Sequence, residues 1–152
     1  MGESNKALES SSQPAAYEKP LPAITTLTKP FWDSCAKHAL KMQFCTSCRE
    51  WIWYPKAWCP SCGKRENIQW KEVSGKGTVY SFTIIRQVID NSPAFNKDIP
   101  FVIGLIELEE GPRIYSNVTD VKPEEVKVGD KVAIYYDDVT PEVSLPKFRR
   151  TG

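Results

Sequence analysis

Apolar and polar positions fall into three regimes along the chain. Residues 1–27 mix Ser, Pro, Ala and Glu with almost no apolar periodicity. That is the pattern of a disordered, mobile tail, which buries too little apolar surface to offset its ordering entropy. From Thr28 to Lys41 the spacing turns helical: Phe31, Cys35 and His38 recur at one interval, Trp32, Ala36 and Ala39 at another. Thr28 is expected as the N-cap, Pro30 sits in the first turn where its missing N–H is harmless, and Asp33 suits the positive helix end. Leu40, Met42 and Phe44 then alternate with polar residues, which predicts a strand.

From about Trp70 onward the pattern is β throughout. Gly77–Ile89 is dense in β-branched and aromatic residues and long enough to curl around a small barrel. Phe101–Gly111, Arg113–Val118 and Lys131–Val139 predict further strands, with Glu110-Gly111-Pro112 as a hairpin connection. Lys122–Asp130 reads as a turn or a single helical turn. Five or so short strands in this span suggest a small closed barrel, OB-like in the first instance, although periodicity alone does not separate it from an SH3-like barrel.

Between helix and barrel lies CTSCREWIWYPKAWCPSCG, residues 45–63, with two Cys-x-x-Cys pairs around a stretch holding three tryptophans. Such pairs place two sulfurs about one metal while the backbone curls beneath them, and two of them complete a tetrahedral shell. Cys45, Cys48, Cys59 and Cys62 are therefore the expected ligands of a structural Zn²⁺. Pro60 and Gly63 favour the second turn, whereas the first carries Arg49 where glycine would relax a left-handed residue. Four thiolates leave no open position for water, so the site is expected to be closed and inert; an all-sulfur iron site is the alternative. A redox pair of the thioredoxin kind would need a βαβ setting that this stretch lacks. Trp51, Trp53, Tyr54 and Trp58 are expected to pack over the metal turns and against the barrel, with an interaction surface or base stacking as alternatives.

The expected architecture is thus mainly β: a tail over 1–27, a short N-terminal helix over 28–41, a four-cysteine zinc ribbon over 42–69 and an OB-like β-barrel over 70–152. Composition changes little in this picture. The chain has 152 residues, 41% hydrophobic and 26% charged, enough for one real core. Its net charge of +1 argues against a dedicated nucleic-acid binder, which usually carries a strongly basic domain. No apolar run approaches a membrane span and no secretory signal is evident, so a cytoplasmic location with reduced thiols is expected.

Candidate catalysts are scarce. His38 is the single histidine and lies three residues after Cys35 on the predicted helix, where a nucleophile and base could meet, but no orienting group or oxyanion loop accompanies them. Ser74–Thr78 lacks the spacing of a phosphate-cradling loop. The acidic pairs 109–110, 124–125 and 137–138 are adjacent neighbours and read as solvated charge. The chain looks unlike one that does chemistry alone.

The order PFWDSC, CTSCREWIWYPKAWCPSCG, GKGTVYSFTIIRQ, SPAF, PFVIGLIELEEGPRIYSNV and VTPEVSLPKFRR, over about residues 28–150, resembles one family: rubredoxin-like zinc ribbon plus acyl-CoA-associated OB-fold proteins. The resemblance implies a non-catalytic partner of a thiolase-fold subunit in a hetero-oligomer, expected as a heterotetramer, that handles CoA thioesters. Thiolase or acyltransferase complexes are the implied setting, benzoylsuccinyl-CoA thiolase of anaerobic toluene degradation among them. The partner would carry the nucleophilic Cys and catalytic His. A CoA thioester ligand would favour cationic side chains, and Arg86, Lys97, Lys147, Arg149 and Arg150 are the candidates, with Phe95 as an exposed apolar anchor in the long 91–100 loop. The competing expectation is a single-stranded nucleic-acid-binding module, since ribbons and OB barrels both serve that role.

Overall fold

The computed structural model describes residues 16–89 and 92–152. Helix α1 (Lys29–Ala36) leads into a three-stranded antiparallel sheet, ordered β2 (Glu50–Ile52), β1 (Lys41–Cys45), β3 (Ile68–Glu72). A closed barrel follows, built from β4 (Lys76–Ile85), β5 (Phe101–Leu108), β6 (Arg113–Thr119), β7 (Lys131–Asp138) and β8 (Ser144–Arg150) in the order β4-β5-β6-β8-β7. The third and fifth barrel strands run parallel, through Val118↔Phe148 and Thr119↔Arg149, and the remaining pairings are antiparallel. That closure is the Greek-key arrangement of an OB barrel and resolves the SH3-like alternative.

Several elements depart from the sequence expectation. The helix ends five residues before Lys41 because His38 takes a left-handed conformation, φ 56°. His38 N–H then donates to Cys35 C=O (2.9 Å) and Ala39 N–H to Ser34 C=O (2.9 Å), a Schellman stop with histidine where glycine is usual. Thr28 is the N-cap residue, but its hydroxyl bonds within the preceding turn, accepting from Thr25 N–H (2.9 Å), and not to the helix.

Trp70, expected to open the barrel, instead pairs with Gln43 in the ribbon sheet. A division at 69/70 therefore cuts β3, and the chain crosses to the barrel at 73–75, where Val73 N–H donates to Leu40 C=O (3.0 Å) and Ile134 N–H to Gly75 C=O (2.8 Å). The expected strand 77–89 stops at Ile85, and β8 was not anticipated. Pro146 in β8 discourages a strand reading. It is accommodated because β8 meets β6 only at positions 148 and 149, while Ser116 Oγ donates to Pro146 C=O (2.6 Å).

One core joins helix, ribbon and barrel: Phe31, Trp32, Cys35, Leu40 and Met42 pack with Val79, Val102, Ile106, Ile114, Val118 and Phe148. The far end of the ribbon has only a small cluster of its own, Cys45, Ile52 and Cys59, flanked by Cys48, Cys62 and Ile68. Of the expected tail, residues 1–15 lie outside the described residues; Tyr17, Lys19 and Leu21 line hollows on the barrel, and the segment ends in a turn at Thr25–Thr28.

Candidate metal centre and barrel groove

The four cysteines converge. Their sulfurs all lie within 4.8 Å of one another, with Cys45 Sγ to Cys62 Sγ at 3.8 Å and Cys48 Sγ to Cys59 Sγ at 3.9 Å. A tetrahedron with Zn–S bonds of about 2.3 Å has sulfur edges of about 3.8 Å, so the donor set fits zinc. Both turns are built alike. Arg49 N–H donates to Cys45 C=O and Gly63 N–H to Cys59 C=O, each at 2.8 Å, and both residues are left-handed, φ 56° and 70°.

The four thiols differ in their surroundings. Backbone N–H groups of Cys62 and Ser61 draw the Cys59 thiol down to about 7, whereas Cys48, crowded first by Cys62 and by its other sulfur neighbours, is pushed up to about 12. Four thiolates share this space only around positive charge. With all four positions taken by sulfur, the metal would supply a structural tie and no reactive site.

The aromatics divide as the sequence left open. Trp51 Nε1 donates to Glu110 C=O (3.1 Å) and Trp32 Nε1 to the Tyr54 hydroxyl (3.1 Å), while the Trp53 ring lies 6.0 Å from that of Tyr115. These three tie the helix and ribbon together or to the barrel. Trp58 is exposed beneath the Arg65 guanidinium, 5.5 Å from its ring centre. Gln43, which no sequence signal marked, is buried; its side chain accepts from Lys56 N–H (2.8 Å) and donates to Lys56 C=O (3.0 Å), pinning the loop between the two metal turns.

Cys35 and His38 do not form a pair. Burial pushes the Cys35 thiol up to about 12, and His38, past the helix end, bonds Asp138 (Nε2 to Oδ1, 2.8 Å) and stacks on Tyr136 at 4.8 Å. The histidine serves as a joint between the helix end and β7, and the Tyr136 hydroxyl completes it by accepting from Leu40 N–H (2.8 Å).

Each of the five candidate cations has an acidic neighbour. Arg86 meets Glu124 (3.1 Å), Lys97 meets Glu18 (2.7 Å) and Lys147 meets Asp137 (2.6 Å). Arg149 meets Asp120 (3.7 Å), and Arg150 meets Asp130 (3.7 Å) and Glu125 (3.9 Å). Of the five, only Lys147 lines a groove on the barrel wall. Phe95 is half-buried, not exposed, because the single helical turn α2 (Pro93–Asn96) folds it toward the barrel, where Lys19 Nζ sits 5.6 Å from its ring centre.

Phe95 and Lys147 do share a groove of about 610 Å³ on the barrel wall, with Val102, Asn117, Thr119 and Leu145 among its lining. The groove is also lined by Tyr17 and Lys19, from the segment expected to be mobile; a composition-based reading of that segment carried no signal for either.

Residues 32–67 match the rubredoxin-like zinc ribbon domain of ChsH2, and residues 70–137 its C-terminal OB-fold domain. A solved structure described as an Ltp2-ChsH2(DUF35) aldolase superposes with a TM-score of 0.74 at 30% identity, covering 86% of this chain and 98% of that one. The chain belongs to the DUF35 family. Among its relatives, a DUF35 domain-containing scaffold protein of Methanothermobacter thermautotrophicus is 30% identical over 98 residues, 64% of this chain and 71% of that one. A probable enoyl-CoA hydratase alpha subunit of Thermomonospora curvata is 33% identical over 147 residues. That alignment takes in 95% of this DUF35 chain, which spans only 44% of the Thermomonospora protein. Among the described residues no helix is long and apolar enough to cross a membrane.

Proposed function

We propose that this DUF35 chain is a non-catalytic accessory subunit of a complex acting on CoA thioesters, holding a catalytic partner rather than transforming substrate itself. The observation that carries the reading is the fit of the whole helix–ribbon–barrel unit to the Ltp2-ChsH2(DUF35) aldolase structure over 98% of that chain. Similarity to a probable enoyl-CoA hydratase alpha subunit, of which this chain spans 44%, supports a CoA-thioester setting. The Cys35–His38 arrangement supports the same reading, since the thiol is sealed in the core and the imidazole is engaged by Asp138. A thiolase-fold partner in a heterotetramer is the specific form proposed, acting as a thiolase or acyltransferase.

Any contribution to CoA binding is proposed at the groove, where Lys147 and Phe95 meet, and a phosphate there would compete with Asp137 for Lys147. Structural Zn²⁺ at Cys45, Cys48, Cys59 and Cys62 keeps the ribbon in shape for assembly.

The test is capture of partners by the tagged chain from its native cell extract, followed by turnover assays on CoA thioesters. A thiolase-fold protein recovered near one-to-one, active with this chain and with no turnover by this chain alone, is the expected result. Carbon–carbon bond cleavage by the isolated chain would refute the accessory role. Recovery of salt-removable nucleic acid in place of protein would replace it with the nucleic-acid module.

A further inference from the structure

The barrel groove is walled in part by the segment that precedes the helix. Tyr17 lines the groove and also a second hollow formed with Ala16, Leu21 and the β7–β8 connection at Asp138–Pro141. The next two residues pair with the loop after α2: Glu18 with Lys97 at 2.7 Å, and Lys19 with Asp98. Lys19 also reaches over the Phe95 ring. An acid followed by a base on the segment thus meets a base followed by an acid on the loop. Of four possible pairings of these charges, the two formed are both attractive.

What holds the segment is of a particular kind. Among the described residues no backbone–backbone hydrogen bond joins residues 16–22 to the barrel. The side chains of Glu18 and Lys97 are 62% and 65% exposed, Asp98 is 46% and Lys19 24% exposed. Exposed ion pairs are weak and screened by salt. A segment held by two ion pairs, the Lys19–Phe95 contact and Tyr17 against the groove, with no backbone ladder beneath it, opens at low cost.

We propose that residues 16–19 form a displaceable strap that narrows the barrel groove, held in place by the Glu18–Lys97 and Lys19–Asp98 pairs. Displacing the strap widens the groove, and a visitor larger than the present opening must break or replace these two pairs. The proposal stands on the strap's own contacts and holds whichever ligand or partner the groove receives.

The experiment uses the full-length, metal-loaded chain with no CoA and no partner, so its outcome is independent of the accessory-subunit reading. Lys97→Glu sets two acids face to face; Glu18→Lys combined with Lys97→Glu restores attraction with the charges exchanged. Alkylation of a Val121→Cys reporter, read by mass at that site, reports access to the groove, and amide exchange of β5 reports global stability.

Lys97→Glu is expected to speed alkylation by about threefold to tenfold. The double substitution should return the rate to within about twofold of the parent chain, and high salt should mimic the single substitution. Unchanged rates in Lys97→Glu, failure of the exchanged pair to restore them, or an equal acceleration in β5 would each overturn the strap.

Discussion

The two metal turns offer an internal control for backbone conformation. Arg49 and Gly63 occupy equivalent positions, each donating its N–H over 2.8 Å to the carbonyl of the first cysteine in its turn, at φ 56° and 70°. A left-handed non-glycine residue costs about 1–2 kcal/mol, and glycine gives back about 0.5–1 kcal/mol in unfolded-state entropy. Arg49→Gly should therefore stabilise the ribbon by about 0.5–1 kcal/mol. Gly63→Ala should cost a similar amount, and the loss is purely conformational, because a Cβ built at Gly63 meets no atom within 4 Å.

Metal binding and ribbon folding are linked, so the effect is readable as metal retention. Competition of the zinc-loaded protein against a chelator should shift its midpoint by about twofold to fivefold toward higher chelator in Arg49→Gly, and toward lower chelator in Gly63→Ala. An Arg49→Gly protein that loses metal more readily than the parent would refute the backbone argument and assign the guanidinium an undetected favourable role. Arg49→Ala separates these cases: it removes the guanidinium and leaves the strained φ.

Other perturbations bear on different joints. Complete metal removal should release the loop around Cys48–Cys62, visible as lost amide protection there, while β4–β8 remain protected by their own core. Gln43→Leu should cost about 1–3 kcal/mol in urea unfolding, because two hydrogen bonds to Lys56 disappear at a buried position. Gly77→Ala should cost about 1–3 kcal/mol by the same assay, since its Cβ would stand 2.4 Å from the Glu107 carbonyl oxygen. The Asp138 carboxyl is held below its ordinary 3.8 by the Ser144 hydroxyl and then by His38. Its stabilisation is therefore in place above that value and lost as pH falls through the lower folded value. Asp138→Asn should be less stable than the parent at neutral pH, and the difference should vanish in acid.

The metal site was legible because its signal is local: two Cys-x-x-Cys turns fix ligand, geometry and even the odd conformation of Arg49 within a short stretch. Most barrel strands were legible from β-rich composition and turn residues. What escaped depends on partners distant in sequence. β8 carries Pro146 and becomes a strand only because β7 and β6 stand ready to pair with it. Gln43 looks like an outward polar residue until the loop at Lys56 folds over it. The strap pairs residues 79 apart, and nothing in the composition around Glu18 and Lys19 anticipates that contact. The candidate cations show the converse: basic residues are easy to pick from sequence, but their acidic neighbours come from other elements and are invisible there.

The division between metal and core explains how so small a ribbon can serve as a rigid arm. Leu40 and Met42, at the barrel end of β1, sit in the common core with Phe31 and Phe148, so that end of the ribbon is an extension of the barrel. Three further ties cross the junction: His38 to Asp138, Trp51 to the Glu110 carbonyl, and Ser74 N–H to the Glu110 carboxylate at 2.6 Å. At the other end of β1, Cys45 finds almost no apolar company beyond Ile52 and Ile68. Hydrophobic burial fixes the base and metal coordination fixes the tip, each where the other is absent. An arm held at both ends presents Trp58 and the knuckle backbone in one geometry without a core beneath them. If the proposed partner docks on that surface, its capture, rather than barrel stability, is the property that metal loss should abolish first.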